Sequence, residues 1–235
     1  MQAHHRVQAG HRLPLQAPLT LRWVLVAMLA LAGCKKAPDP ATPSADPAFW
    51  TWVAANVEGL KSVKTGREPV TEQLTAELRK VDPGLVFELG VGRDPFELII
   101  SADGKKELFP MVKRLVAAAP AIPGTKVIAF RPRKDVEAFS MQIRGGKLSG
   151  KDLWFTAHAD AEHKGLMAVE LFVPDLNDLN EEALDKAAFF LLEAAVGEFD
   201  VETKIGGSDI KRAPDEPAPP LKPLKELPAT LDAWK

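Results

Sequence analysis

The chain has 235 residues, 46% of them hydrophobic, with 30 basic against 32 acidic side chains and a net charge of −2 at neutral pH. Such a balance supplies no fixed basic field to neutralise phosphates, which argues against nucleic acid as a partner. A single cysteine, Cys34, excludes an intramolecular disulfide.

The first element is a leader. Arg6, Arg12 and Arg22 precede an apolar run from Val24 to Leu31, and no acidic residue comes before Asp39. A basic start, a short apolar helix and small residues at a cut are the order of a secretory signal. The run is too short for a hydrocarbon core of about 30 Å, which takes about 20 residues of helix. Lys35 and Lys36 follow it at once.

The tetrapeptide Leu31-Ala32-Gly33-Cys34 resembles the lipobox of bacterial lipoproteins. That resemblance implies cleavage before Cys34, a diacylglyceryl group on its thiol, and a membrane anchor of two or three acyl chains such as palmitate. Each buried methylene contributes about 0.8 kcal/mol, so several chains hold where one would not. Lys35 stands where an aspartate would retain such a protein in the inner membrane. The implied address is the cell envelope, in the outer membrane, periplasm-facing or surface-exposed, if the source is Gram-negative. The alternatives are an ordinary secreted protein with a stray cysteine, or a start assigned too far upstream. A lipidated Cys34 leaves no thiol for catalysis or metal binding, and loss of residues 1–33 makes the remainder more acidic.

Residues 34–47 include KAPDPATPSADP, rich in proline and without a large apolar residue, and read as a tether. Asp46-Pro47 followed by Phe49, Val53, Val57 and Leu60 predicts a helix. Thr71 with Leu74, Leu78 and Val81 predicts a second, stopped by Asp82-Pro83-Gly84. Leu85–Gly90 and Phe96–Ala102 read as a hairpin around Gly92-Arg93-Asp94-Pro95. Pro110 opens a helix through Met111, Val112, Leu115, Val116 and Ala119, and a strand from Lys126 to Phe130 follows. Residues 139–143 suggest another strand. Leu153–Ala159 and Leu166–Val173 predict a second hairpin, followed by a helix from an Asn180 cap to Gly197 and a strand over Val201–Ile210 with Gly206-Gly207 as a bulge or turn.

The expected fold is a single α+β domain over residues 48–212, a mostly antiparallel sheet with helices packed on one face. Strand-strand-helix-strand occurs twice in this order, which suggests two such units. Residues 213–235 carry Pro217, Pro219, Pro220 and Pro223 with Leu221, Leu224, Leu227, Leu231 and Trp234. They read as an extended strap across the domain, or as a docking peptide for another protein.

His158, Asp160, Glu162 and His163 are the metal-competent cluster of the chain after the leader, and a strand would put the first three on one side. The competing reading is a solvated hairpin loop. Arg131 and Arg133, with Lys134, follow a strand end, where converging cations hold a carboxylate or phosphate. Asp135 and Glu137 nearby would cancel that field. The carboxylate pairs Glu198 and Asp200, or Glu68 and Glu72, carry little weight without a pocket. The apolar stripe Ala187–Val196 reads as core. No G-x-S-x-G, P-loop, G-x-G-x-x-G or H-E-x-x-H is present. No cofactor is implied.

The segments ISADGKKELFP, AAPAIPGTKVIAFRPR and GEFDVETKIG resemble stretches of uncharacterised bacterial proteins, over about Trp50 to Lys211. The resemblance carries no activity and transfers no catalytic residue. It implies only that this domain occurs elsewhere without the lipid anchor. The reading is a membrane-tethered lipoprotein that binds or scaffolds an envelope protein partner. The competing class is an envelope hydrolase whose site assembles only in three dimensions.

Overall fold

Two hydrophobic cores, each built on a strand-strand-helix-strand unit, organise the chain. The structure, a computed structural model, describes residues 46–143, 146–174, 181–216 and 220–234. Cys34, the leader, most of the tether, Asn180, Pro217 and Pro219 lie outside the described residues.

In the N-terminal lobe α1 (Asp46–Lys61) turns Phe49, Trp50, Val53, Val57 and Leu60 to the interior. That stripe recurs every three or four residues, as burial on one helix face requires. α2 (Pro69–Val81) starts on a proline, whose missing N–H costs nothing in the first turn, and buries Leu74 and Leu78. β1 (Val86–Gly90) pairs antiparallel with β2 (Phe96–Ser101), and β3 (Thr125–Ala129) returns parallel to β2 after α3 (Phe109–Ala117). Phe96, Leu98 and Ile100 of the central strand meet all three helices in one core. Polar ties fix the helices to each other. Trp50 Nε1 donates to the Leu115 carbonyl at 2.9 Å, and Arg114 holds the Asp46 carboxylate, at the start of α1, through bonds of 2.9 and 3.2 Å.

The C-terminal lobe repeats the connectivity. β6 (Trp154–Ala159) pairs antiparallel with β7 (Met167–Val173). After α4 (Glu181–Val196) and α5 (Glu198–Lys204), β8 (Ile205–Arg212) pairs parallel with β7. β7 alternates buried and half-buried along its length, as a sheet covered on one face does. In both lobes the residue after the returning strand bonds back to the central one. Phe130 N–H donates to the Ile100 carbonyl at 2.8 Å, and Ala213 N–H to that of Val173 at 2.7 Å. Between the lobes β4 (Ser140–Ile143) and β5 (Gly146–Ser149) form a separate hairpin.

The fold is thus α+β, with four antiparallel and two parallel strand pairings among the described residues. The strands are divided among three sheets where one was expected. Val201–Lys204, read as strand from its alternation, is helical, because Glu198 is pinned at the first turn of α5. The C-terminal segment crosses the second lobe, but it is not simply extended. β9 (Lys222–Pro223) adds to the edge of β6, and α6 (Leu227–Asp232) follows. Leu224, Leu227 and Leu231 are buried with Phe155, Leu171 and Leu191. Among the described residues no helix is long and apolar enough to cross a membrane.

Glu68 shows how a local turn makes stability depend on pH. Just before α2 its Oε1 accepts the N–H groups of Lys64 at 2.7 Å and Thr65 at 2.8 Å. These bonds, Thr65 first, lower its carboxyl from 4.5 to about 2. A carboxyl depressed in the folded state stabilises above its unfolded value, and that contribution is lost as pH falls from about 4.5 to about 2. Glu68→Gln is therefore expected to flatten this part of the acid limb in urea titrations at stepped pH. An unchanged limb would show that Glu68 is not coupled to folding.

Candidate functional site

The lobes meet around one carboxylate. Gly197, at φ +83°, ends the preceding helix, and a Cβ there would stand 3.1 Å from the Arg131 carbonyl oxygen. Only glycine allows that approach at this backbone angle. It delivers Glu198, fully buried, to the end of the first sheet. Glu198 Oε1 accepts the N–H groups of Ala102 at 2.9 Å and Gly104 at 3.4 Å, and Oε2 accepts that of Arg131 at 3.0 Å. Its own N–H returns a bond of 3.0 Å to the Arg131 carbonyl. A buried carboxylate is tolerated when donors converge on it in this way.

Aromatic packing surrounds the contact. The rings of Phe109, Phe130 and Phe199 lie 4.7 to 5.5 Å apart between centroids. Lys113 Nζ sits 4.2 Å from the centre of the Phe199 ring. Phe130 has φ +66°, a conformation costly for an aromatic residue and sustained here by packing on two other rings.

Arg131 and Arg133 were expected to converge on an external anion. The structure assigns their charges internally. Arg131 Nε donates to Glu88 at 2.6 Å and Nη2 to Asp103 at 3.1 Å, while Nη1 lies 3.3 Å from Glu193 Oε1. Burial disfavours the guanidinium, but Glu193, Asp103 and Glu88 outweigh it and hold its pKa above the ordinary value. Arg133 pairs with Asp232 at 2.6 and 2.8 Å and with Asp200 at 2.7 Å. It also donates to the Val196 carbonyl at 3.1 Å, while Lys134 N–H donates to that of Ala194 at 2.7 Å. The basic run therefore caps the C-terminal end of α4, where unsatisfied carbonyls and the helix dipole favour cations.

As for the metal reading, among the described residues no three metal-competent side chains come together. His158 stands on the strand face away from the second core, whereas Asp160 and His163 shape the turn after β6. Asp160 Oδ1 accepts the N–H groups of Glu162 and His163 at 2.8 and 2.6 Å and lies 3.1 Å from His163 Nδ1. Its Oδ2 packs where a side chain on Gly206 would stand, 2.6 Å from that Cβ. Asp160 is thus spent on the hairpin and on the glycine bulge of β8.

A cleft of about 380 Å³ opens between the lobes, lined by Glu88, Arg131, Pro132, Lys134, Phe139, Ser140, Phe190, Glu193 and Ala194. Phe190 is 50% exposed at this cleft, although large apolar side chains are usually withdrawn from water. Glu193 is only 6% exposed, and its Oε2 has no hydrogen-bond partner among the described residues. Burial pushes its carboxyl above the ordinary range, against the pull of Arg131. A second groove, of about 420 Å³, lies between α2 and the edge strand β1 and includes Thr71, Phe87, Leu89 and Val91. Beside it Glu68, whose Oε2 is also buried without a partner among the described residues, is held low by the N–H groups of Thr65 and Lys64. The cleft combines apolar walls with a perturbed ionisable group, the pairing that marks a binding or active site.

Glu88, Phe139, Phe190 and Glu193 did not stand out in the sequence. For Glu193 a signal existed, since it is the one charge within the apolar stripe Ala187–Val196. An acid that interrupts such a stripe is either buried with a partner or marks its edge. Glu198 was visible as half of a carboxylate pair, but its role depends on N–H groups 67 to 96 residues away in the chain.

Glu198→Ala leaves one buried and two partly buried N–H groups without their acceptor and is expected to destabilise by about 3 kcal/mol in urea denaturation. Glu198→Gln keeps one acceptor oxygen and should lose less. Equal losses would show that the side chain's bulk, rather than its acceptor oxygens, is what matters. Comparison of the chain with protein-family models, with curated proteins and with solved structures returns no match.

Proposed function

We propose that this chain is a lipid-anchored envelope lipoprotein whose α+β domain is a binding module, with the cleft between its lobes as the binding site. The observation that carries the binding role is the cleft of about 380 Å³ itself, lined by Phe139, the half-exposed ring of Phe190 and Glu193, whose carboxyl is raised by burial. The anchor rests on Leu31-Ala32-Gly33-Cys34 and on the proline-rich tether, which would hold the domain off the membrane. An occupant of about 380 Å³ is a small molecule or a single side chain of an envelope partner.

The address is tested by expressing the full chain and its Cys34→Ala variant in a bacterial host, fractionating the cells and taking intact masses. A mature chain beginning at an acylated Cys34, lost from the membrane in the variant, is expected. An unmodified soluble chain in both would overturn the anchor. The cleft is tested separately by an NMR screen of neutral, cationic and anionic fragments against the full chain, read at the Ala194 methyl. Hits that shift this methyl are expected, and a blank screen would remove the cleft as a binding site.

A further inference from the structure

The two units differ in how their outer strands are covered. In the C-terminal unit β9 pairs with the edge of β6, and Leu224 N–H adds a bond of 2.9 Å to the Leu153 carbonyl. The equivalent strand of the N-terminal unit, β1, pairs only with β2 among the described residues. The direction of its free groups follows from β2. There Phe96 N–H donates to the Gly124 carbonyl at 3.0 Å and the Ile100 carbonyl accepts from Phe130 at 2.8 Å, so the even-numbered residues of β2 face β3. Glu97, Ile99 and Ser101 accordingly face β1, where they meet Gly90, Glu88 and Val86. Phe87 and Leu89 are left with N–H and C=O groups aimed away from the sheet, since these directions alternate along a strand. An edge of this kind is a template for another strand.

Both residues also carry their side chains to the helix face, half-buried against the first core. With Val91, 43% exposed, and Thr71, Glu72 and Thr75 of α2 they line the groove of about 420 Å³. Edge and groove therefore suit one occupant, an extended strand with apolar residues at alternate positions. β1 itself, Val86-Phe87-Glu88-Leu89-Gly90, has that pattern. Charge selects among such strands. Glu72, in the first turn of α2, and Arg79, in its last, are both exposed and about two turns apart, so they share a stripe with Thr75. A stripe that is acidic at one end and basic at the other is complementary to its own copy run antiparallel.

We propose that β1 pairs antiparallel with β1 of a second copy across a two-fold axis, joining their sheets into one. Phe87 of each copy stands opposite Leu89 of the other and exchanges both backbone bonds with it, while Glu72 of each α2 faces Arg79 of the other. Val91 and the groove are covered in the process. Glu88 stands opposite its own copy on the far face, where Arg131, 2.6 Å away, already neutralises it. An extended segment of an unrelated protein would satisfy the edge but has no reason to match the charges of α2.

The test is sedimentation velocity on the full chain in detergent at rising concentration. A monomer–dimer equilibrium is expected. Leu89→Pro removes an N–H that β2 does not use, so it should keep the fold, checked by circular dichroism, and abolish the dimer. Glu72→Arg and Arg79→Glu should each weaken association by roughly fivefold or more, since two symmetric pairs change together. The double exchange of Glu72→Arg with Arg79→Glu should restore it. Restoration of this kind cannot come from a folding defect, and it serves if Leu89→Pro fails to fold. A monomer at every concentration would overturn the proposal and leave the edge to another protein's strand. A dimer that survives a folded Leu89→Pro unchanged, or that ignores both single exchanges, would overturn it too, as association through the anchor or another face. A double exchange no better than the single ones would overturn it as well.

Discussion

The bond set of one buried carboxylate governs how this chain is assembled. Glu198 belongs to the C-terminal lobe, yet its oxygens are satisfied by the N–H groups of Ala102, Gly104 and Arg131 from the N-terminal lobe. A charged group without solvent is stable only while all of these donors are present. The requirement makes the orientation of the two lobes specific, since apolar faces alone would tolerate sliding. Phe109, Phe130 and Phe199 add contact area around this point but little direction.

From that junction the rest of the architecture follows in sequence. Glu198 and Gly197 bring the end of α4 against residues 131–134, so that Arg133 and Lys134 serve as its C-terminal cap. Placing Arg131 beside α4 in turn positions Glu193 within 3.3 Å of it, and the space left between Glu88, Phe139 and Phe190 is the cleft. The feature with functional promise is thus a by-product of the joint between two similar units. Shared connectivity, with a central strand antiparallel to its predecessor and parallel to its successor, makes each unit self-sufficient as a core. Neither unit contains the cleft alone.

The surface chemistry divides along the same lines. On the open face of the second sheet Glu170 is held below its ordinary carboxyl pKa by Lys211, and Thr156 donates to it as well. Asp160 is depressed by the turn it caps, and Asp232 by Arg133. These groups are satisfied by neighbours in the structure. Glu193 departs in the opposite direction because burial is its largest influence and one of its oxygens is left without a donor. A contrast of this kind, between carboxyls lowered by their partners and one raised by burial at a cleft, separates a structural ion pair from a candidate site.

Most elements were legible before any tertiary contact was considered, because helical stripes, proline starts and glycine stops are local. α1, α2, α3 and both hairpins follow from Phe49 to Leu60, Thr71 to Val81, Pro110, and the alternation of Leu153–Ala159 and Leu166–Val173. The lipobox resemblance at Cys34 is equally local. Val201–Lys204 was misread because its alternation favours a strand, whereas the anchoring of Glu198 starts a helix there. Arg131, Arg133, His158, Asp160 and His163 carry chemistry that local reading recognises, but their partners decide what they do. Those partners lie in distant segments, or in a turn whose closure depends on Gly206. The segments quoted for their resemblance, around Ser101–Gly104, Phe130–Arg133 and Gly197–Asp200, meet at the lobe junction. Sequence alone established most of the secondary structure and the α+β class, since both arise largely from spacing along the chain. The division into two cores, the neutralisation of the arginines and the cleft at Glu193 were decided only by tertiary structure, since each depends on which residues meet through space.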